Sequence, residues 1–240
     1  MNTLIQHKIR WILIPLLCFV VAGGAGMYWF MLRDSSAPPL ALRTEAALSS
    51  AESGTSLSGT WTVVAGAGAG GQATTAGYRV KERVFGVGAD TATGRTHDVT
   101  GTVTVVGTRV TAARFIVDMA TLKSNKSLRD SVLKTEAIET NKYPTAGFTL
   151  TKPIALSTVT PGKIYTVETR GVLQLHGVSR RVSVTLRYEE TKTGFELLVD
   201  MPILMADYSI KAPSVAGIVS VANHGSLELL ANLAKRATGN

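Results

Sequence analysis

The sequence predicts an all-β domain of about eight antiparallel strands with one short packed helix, behind an N-terminal transmembrane helix. Three observations predict it. From Tyr78 onward, apolar residues recur at every second position over several stretches, which is the mark of strands with one dry face and one wet face. One interval, Ser124 to Thr140, shifts to helical spacing through Leu128, Val132 and Leu133. Trp11 to Leu32 is a run of 22 residues without a charge.

The apolar run comes first in the chain. As a helix it would extend about 33 Å, enough to cross a hydrocarbon core. Lys8 and Arg10 precede it, while Arg33 after it is offset by Asp34, a bias that places residues 1–10 in the cytoplasm and the remainder outside. A cleaved signal would carry a shorter apolar stretch ending at small residues; Ala22-Gly23-Gly24 is small, but Met27-Tyr28-Trp29-Phe30 continues the run beyond it. A lipoprotein would need a small residue before Cys18, and that position is Leu17. Residues 11–32 are therefore read as the membrane span, 33–57 as a flexible linker rich in Ala, Ser, Pro and Thr, and 58–240 as the globular domain.

Within the domain, Trp61-Thr62-Val63-Val64 reads as the first strand, followed by a Gly/Ala loop over 66–71 that lacks the Gly-Lys-Ser/Thr of a phosphate-binding loop. Val99, Gly101, Val103 and Val105 alternate with threonines, and a turn at Gly107-Thr108 leads into Phe115, Val117 and Met119. The helix after these strands has Ser124 or Asn125 as its expected N-cap. Pro144 ends the helical interval and drives Tyr143 into an extended conformation. Further dry rows run through Phe148 and Leu150, then Tyr165, Val167, Leu173 and Leu175, with a turn at Gly177. Val182, Val184, Leu186 and Tyr188 alternate with Arg181, Ser183, Thr185 and Arg187, the clearest alternation in the chain. Phe195, Leu197, Val199 and Met201 form another row, and 218–230 closes the domain. Strands joined by short turns make a sandwich or a barrel, and periodicity fits both.

Composition narrows the function. Cys18, in the apolar run, is the only cysteine, so no disulfide staples the domain and its stability rests on a core. Of the net charge of +8, +7 lies beyond residue 56, spread thinly along the strands. Nothing basic is clustered or interleaved with aromatics, so no nucleic-acid partner is expected. His7, His97, His176 and His224 are far apart in sequence, no zinc-ligand spacing occurs, and no Gly-x-Ser-x-Gly elbow is present. Neither a catalytic set nor a metal or cofactor site is expected, and the domain is read as a non-enzyme.

One ordered set of motifs goes further. Arg129-Asp130 lies in the helical interval; Tyr143-Pro144-Thr145-Ala146-Gly147-Phe148 follows; Leu175-His176-Gly177-Val178-Ser179-Arg180 makes a strand turn. This order resembles the YceI family over roughly residues 59 to 230. The second strand departs from the family's His-Ser-x-Val-x-Phe element, carrying Gly77-Tyr78-Arg79-Val80-Lys81-Glu82 instead. The resemblance implies a lipocalin-like β-barrel that holds a polyisoprenoid or similar amphiphile, such as a polyprenyl or quinone-like lipid, in its lumen. It also implies that homodimers are possible.

On that reading Phe115, Val117, Phe148, Leu150, Tyr165, Val167, Leu173, Leu175, Val182, Val184, Leu186, Phe195, Leu197 and Val199 are the expected lumen residues. Arg129, His176 and Arg180 are the candidate headgroup contacts. Each has a structural alternative: Arg129 pairs with a neighbouring strand or caps the helix and so fixes it, and His176 and Arg180, which flank the Gly177 turn, serve its backbone geometry. The same inner rows would also suit a dry, packed barrel acting as an envelope stress or protein-interaction module, since an eight-stranded barrel is just wide enough either to fill itself or to hold one small ligand.

Overall fold

The computed structural model describes residues 36–42, 57–66, 71–86, 88–156, 159–160, 162–191, 194–215 and 219–236. The expected cytoplasmic segment 1–10, the expected span 11–32 and most of the expected linker lie outside the described residues. Among the described residues no helix is long and apolar enough to cross a membrane.

The strands are β1 (Gly59–Val64), β2 (Thr75–Val84), β3 (Gly88–Thr96), β4 (Val99–Val106), β5 (Arg109–Asp118) and the short β6 (Lys123–Ser124). Helix α1 (Ser127–Thr135) follows, then β7 (Thr145–Leu150), the short β8 (Ile154–Ala155), β9 (Tyr165–Leu175), β10 (Val178–Thr191), β11 (Gly194–Leu204), the short β12 (Ser214–Val215) and β13 (Val219–Lys235). Eight strands form a closed antiparallel barrel in the order β1-β4-β5-β7-β9-β10-β11-β13, with β13 returning to β1. The closing seam pairs Trp61 with Lys235 and Val63 with Leu233. The rest of that β13 edge pairs with β2, from Val219 opposite Val84 to Leu230 opposite Thr75, and the β2–β3 hairpin extends from there.

Alternation sets the register. On β10, Val184 and Tyr188 are buried inward while Arg181, Ser183, Thr185 and Arg187 are exposed. A slip of one residue against β9 would turn every one of these to the wrong face, so the two-residue turn His176-Gly177 matters. Both turn residues have positive φ, 51° and 74°, the geometry that matches the right-handed twist of a hairpin. The β-rich reading and the helical interval both correspond to observed elements. The expected cap does not: Lys126 occupies the N-cap without a side-chain bond, and Ser124 Oγ instead accepts from Lys126 N at 3.2 Å.

Two apolar clusters fill the barrel wall. One, at the helix end, gathers Tyr78, Met119, Leu122, Leu133, Leu173, Leu175 and Met201. The other, at the closing seam, gathers Trp61, Val103, Val110, Phe115, Ile154, Phe195 and Leu233. Trp61 and Phe195 meet edge to face at 4.8 Å, and the Trp61 indole donates to Leu57 O.

Part of the expected linker differs from a free chain. Residues 36–42 lie as a strap against the outer face of β2 and β3. Ala37 N donates to Thr93 Oγ1, Arg79 donates to Ala37 O, Arg95 to Pro38 O, and Gln72 Nε2 to Ala41 O. The same arginines reach Glu228 on β13, Arg79 at 3.7 Å and Arg95 at 3.4 Å. Glu228 is buried, and burial raises its carboxyl above the ordinary value against the pull of both arginines. A carboxyl raised on folding holds its proton more tightly in the native state, so its contribution to stability is present at low pH and is lost as pH rises from 4.5 through the folded value. The stability of the native protein relative to Glu228→Gln should therefore fall as pH rises through that window, in urea titrations at a series of pH values. A difference that stays flat or grows with pH would contradict this assignment.

Candidate functional site

The inward faces enclose a cavity of about 420 Å³ with an almost wholly apolar wall. Both clusters contribute to it, from Trp61 and Leu233 at the seam to Leu133 and Met205 at the helix end. Among the lining residues only Lys126 and Leu128 are exposed, so the cavity reaches the surface beside the start of α1. Eleven of the expected lumen residues line it: Phe115, Val117, Phe148, Leu150, Leu173, Leu175, Val184, Leu186, Phe195, Leu197 and Val199.

Tyr165, Val167 and Val182 share the inward parity but do not line the cavity. They pack into the clusters instead, Tyr165 stacked on Tyr188 at 5.4 Å with its hydroxyl accepting from Thr160 N. Trp61, Val103, Tyr78, Leu227 and Leu229 line it without having been expected to. On β13 the signal was blurred: Leu227 and Leu229 alternate with Glu228 and Leu230, and the outward Leu230 is itself apolar and fully buried.

Two glycines set how the rings lie in the wall. A Cβ on Gly171 would stand 2.3 Å from Phe148 Cζ, and one on Gly94 would stand 2.4 Å from Tyr78 Cε1. Each ring therefore lies flat across a neighbouring strand, a close approach that only glycine permits.

Apart from Arg79 and Glu228, which pair with each other under the strap, the charged lining residues gather at the open end. Arg129 Nη2 donates to Glu82 Oε1 at 2.6 Å, and its Nη1 donates to Asn125 Oδ1. Glu82 is buried and faces inward from β2; Lys126 Nζ lies 4.0 Å from the same oxygen and 3.9 Å from Asp90 Oδ2. Arg129 thus lines the cavity and is neutralised within it, which fixes α1 to the β2–β3 hairpin. The Tyr78 hydroxyl lies deeper, and burial pushes its pKa well up, so it remains a neutral phenol.

The other two candidate headgroup contacts lie away from the cavity. His176 is buried, with Nδ1 2.9 Å from Tyr208 O and Nε2 2.8 Å from Glu139 Oε2. Tyr143 stands edge-on to the His176 ring at 4.4 Å. Arg180 Nε donates to Asp207 O. Glu139, His176 and Ser209 are the described non-glycine residues with positive φ, and this latch links the segments that carry them. The position of His176 in the hairpin turn explains its place in the motif without any ligand.

A family model, the YceI-like domain, matches residues 69–233. The chain belongs to the YceI-like family. Among solved structures, this YceI-like domain is similar to a polyisoprenoid-binding domain from Saccharophagus degradans implicated in plant cell wall breakdown, at 16% identity and a TM-score of 0.55 over 73% of this chain and 98% of that one. It is also similar to Burkholderia cenocepacia BcnA, at 15% identity and a TM-score of 0.49 over 67% and 96%. A third is the Campylobacter jejuni YceI protein, at 15% identity and a TM-score of 0.48 over 60% and 84%. No curated protein matches the chain. The Saccharophagus likeness agrees with the barrel.

Two expectations test these assignments. Arg129→Met leaves the Glu82 carboxylate buried with only the more distant Lys126, and should cost about 3 kcal/mol of stability in urea unfolding; adding Glu82→Met should restore most of it. His176→Ala should cost about 2 kcal/mol by losing one buried and one half-buried hydrogen bond while leaving any co-purified lipid unchanged in identity and amount, measured by mass spectrometry of extracts.

Proposed function

We propose that the YceI-like domain binds a polyisoprenoid or similar amphiphilic lipid in its lumen without catalysing a reaction. The single observation that carries this is the continuous apolar cavity of about 420 Å³, open beside α1, within a size range typical of ligand pockets. The family match and the likeness to a polyisoprenoid-binding domain support the same reading. Binding works by burying the lipid tail: at about 25 cal/mol per Å², a few hundred Å² of tail contributes several kcal/mol before ordering costs. Headgroup selection by His176 and Arg180 is not part of the proposal, and Arg129 enters it as a residue already paired with Glu82.

A place outside the cytoplasm belongs to the proposal too. It is supported by the uncharged run from Trp11 to Leu32 and the basic residues before it. A tethered carrier meets membrane lipids at a high effective concentration.

Leu186 and Val199 face each other across β10 and β11, and both line the cavity. Leu186→Trp and Val199→Trp should each empty the purified full-length protein of lipid in native mass spectrometry while changing stability by less than about 1 kcal/mol. A loss of about 1–3 kcal/mol from overpacking, with no prenyl or quinone-type mass in the native protein, would favour the dry scaffold instead.

A further inference from the structure

We propose that the open end of the barrel docks on an anionic lipid bilayer, through the tip of the β2–β3 hairpin and the first turn of α1. This rests on the lipid-binding reading and deepens it by naming where lipid enters. Phe85 stands at the hairpin tip beyond the last rung, Val84 opposite Gly88, and is 81% exposed. Leu128, on the first turn of α1, is 69% exposed and also lines the cavity. The two share one rim because α1 is tied to the hairpin. Arg129 binds Glu82, Lys126 reaches Asp90, and Glu82 pairs with Asp90 two rungs below the tip. Exposed apolar groups set together at the mouth of an apolar cavity mark an interaction surface.

Charge selects the partner. Lys81 and Arg83 project outward from β2 just below Phe85; both are exposed, and neither makes an ion pair among the described residues. The nearby acids, Glu82 and Asp90, are engaged by Arg129 and Lys126. Lys81 donates to Thr91 Oγ1 at 2.8 Å, and neither cation is neutralised by a carboxylate among the described residues. An exposed aromatic flanked by such cations suits the headgroup layer of an anionic bilayer, where rings settle at the boundary and basic residues find lipid phosphates. A second copy of this chain, packed symmetrically on the same face, would set Lys81 and Arg83 against their own kind. With the tip in the headgroup layer, the cavity mouth beside Leu128 meets the bilayer, and a lipid tail passes into the lumen without crossing water.

The test uses the full-length chain with Cys18→Ser and a single environment-sensitive fluorophore. One version carries it at Phe85→Cys; the other carries it at Val106→Cys, an exposed position at the end of β4 near the closing seam. Each is mixed with vesicles of phosphatidylglycerol or of phosphatidylcholine. The expected result is a blue shift at position 85 on phosphatidylglycerol and none at position 106. Adding Lys81→Glu and Arg83→Glu should raise the lipid concentration for half the shift at least tenfold, given roughly fivefold per cation at an anionic surface. Circular dichroism checks that these variants fold. The proposal is overturned by no shift at position 85, by equal shifts at both positions, or by an equal shift on phosphatidylcholine. A shift that grows with protein concentration without vesicles would assign the face to a second copy and also overturn it. The Leu186→Trp chain separates this proposal from the lumen reading, because it should keep the shift while losing lipid. An empty lumen with the shift intact removes only the lumen reading, and a filled lumen without the shift removes only the docking.

Discussion

Strand β13 supplies the constraint on which the rest of this barrel depends. One of its edges pairs with β11 from His224 to Leu233, while the other is divided between β2 and β1. Without the short pairing to β1 the sheet would stay open, and an open edge presents unpaired backbone groups to water and to other chains. The divided edge also lets the β2–β3 hairpin leave the circle of strands. That departure gives the domain a rim that projects at the helix end, and α1 takes its position from the hairpin.

The wall and the rim divide the chemistry between them. Along the wall, side chains are aliphatic or aromatic and the cavity survives because the rings lie flat. At the rim, the buried Glu82 holds both Arg129 and Lys126, so charge fastens the helix to the hairpin while Leu133 seats it in the apolar cluster. A buried pair of this kind adds little net stability over an apolar replacement, but it is costly to break on one side only. It fixes where the mouth is. On the other side of the same end, His176 fastens the β9–β10 turn to segments 32 and 37 residues away in sequence.

Much of this was legible in the chain. Strands β9, β10 and β11 announce themselves through uninterrupted alternation, and the inward parity they imply is the observed one. The helical interval was legible because Leu128, Val132 and Leu133 cannot share one face of a strand. Other features were hidden for physical reasons. The inward row of β13 was obscured by Leu230, which is apolar on the outer side as well. The strap at 36–42 binds largely through its own backbone groups, which no side-chain pattern records, so its Pro- and Ala-rich composition reads as linker. For His176 and Arg180 the sequence left turn geometry and headgroup contact both open, because polar residues at a turn carry no hint of distant acceptors such as Tyr208 O and Asp207 O. Which inward residues reach open space, and which pack on a neighbour, depends on ring stacking such as that of Tyr165 on Tyr188, and parity cannot decide it.

The flat rings over Gly94 and Gly171 give the passage an unusual kind of control. Neither glycine lines the cavity, yet each decides whether a ring lies against the wall or stands into the bore. A single added methyl at either position would act like the leaf of an iris, narrowing the channel from behind. The width of the bore is thus written at two positions that a survey of lining residues alone would pass over.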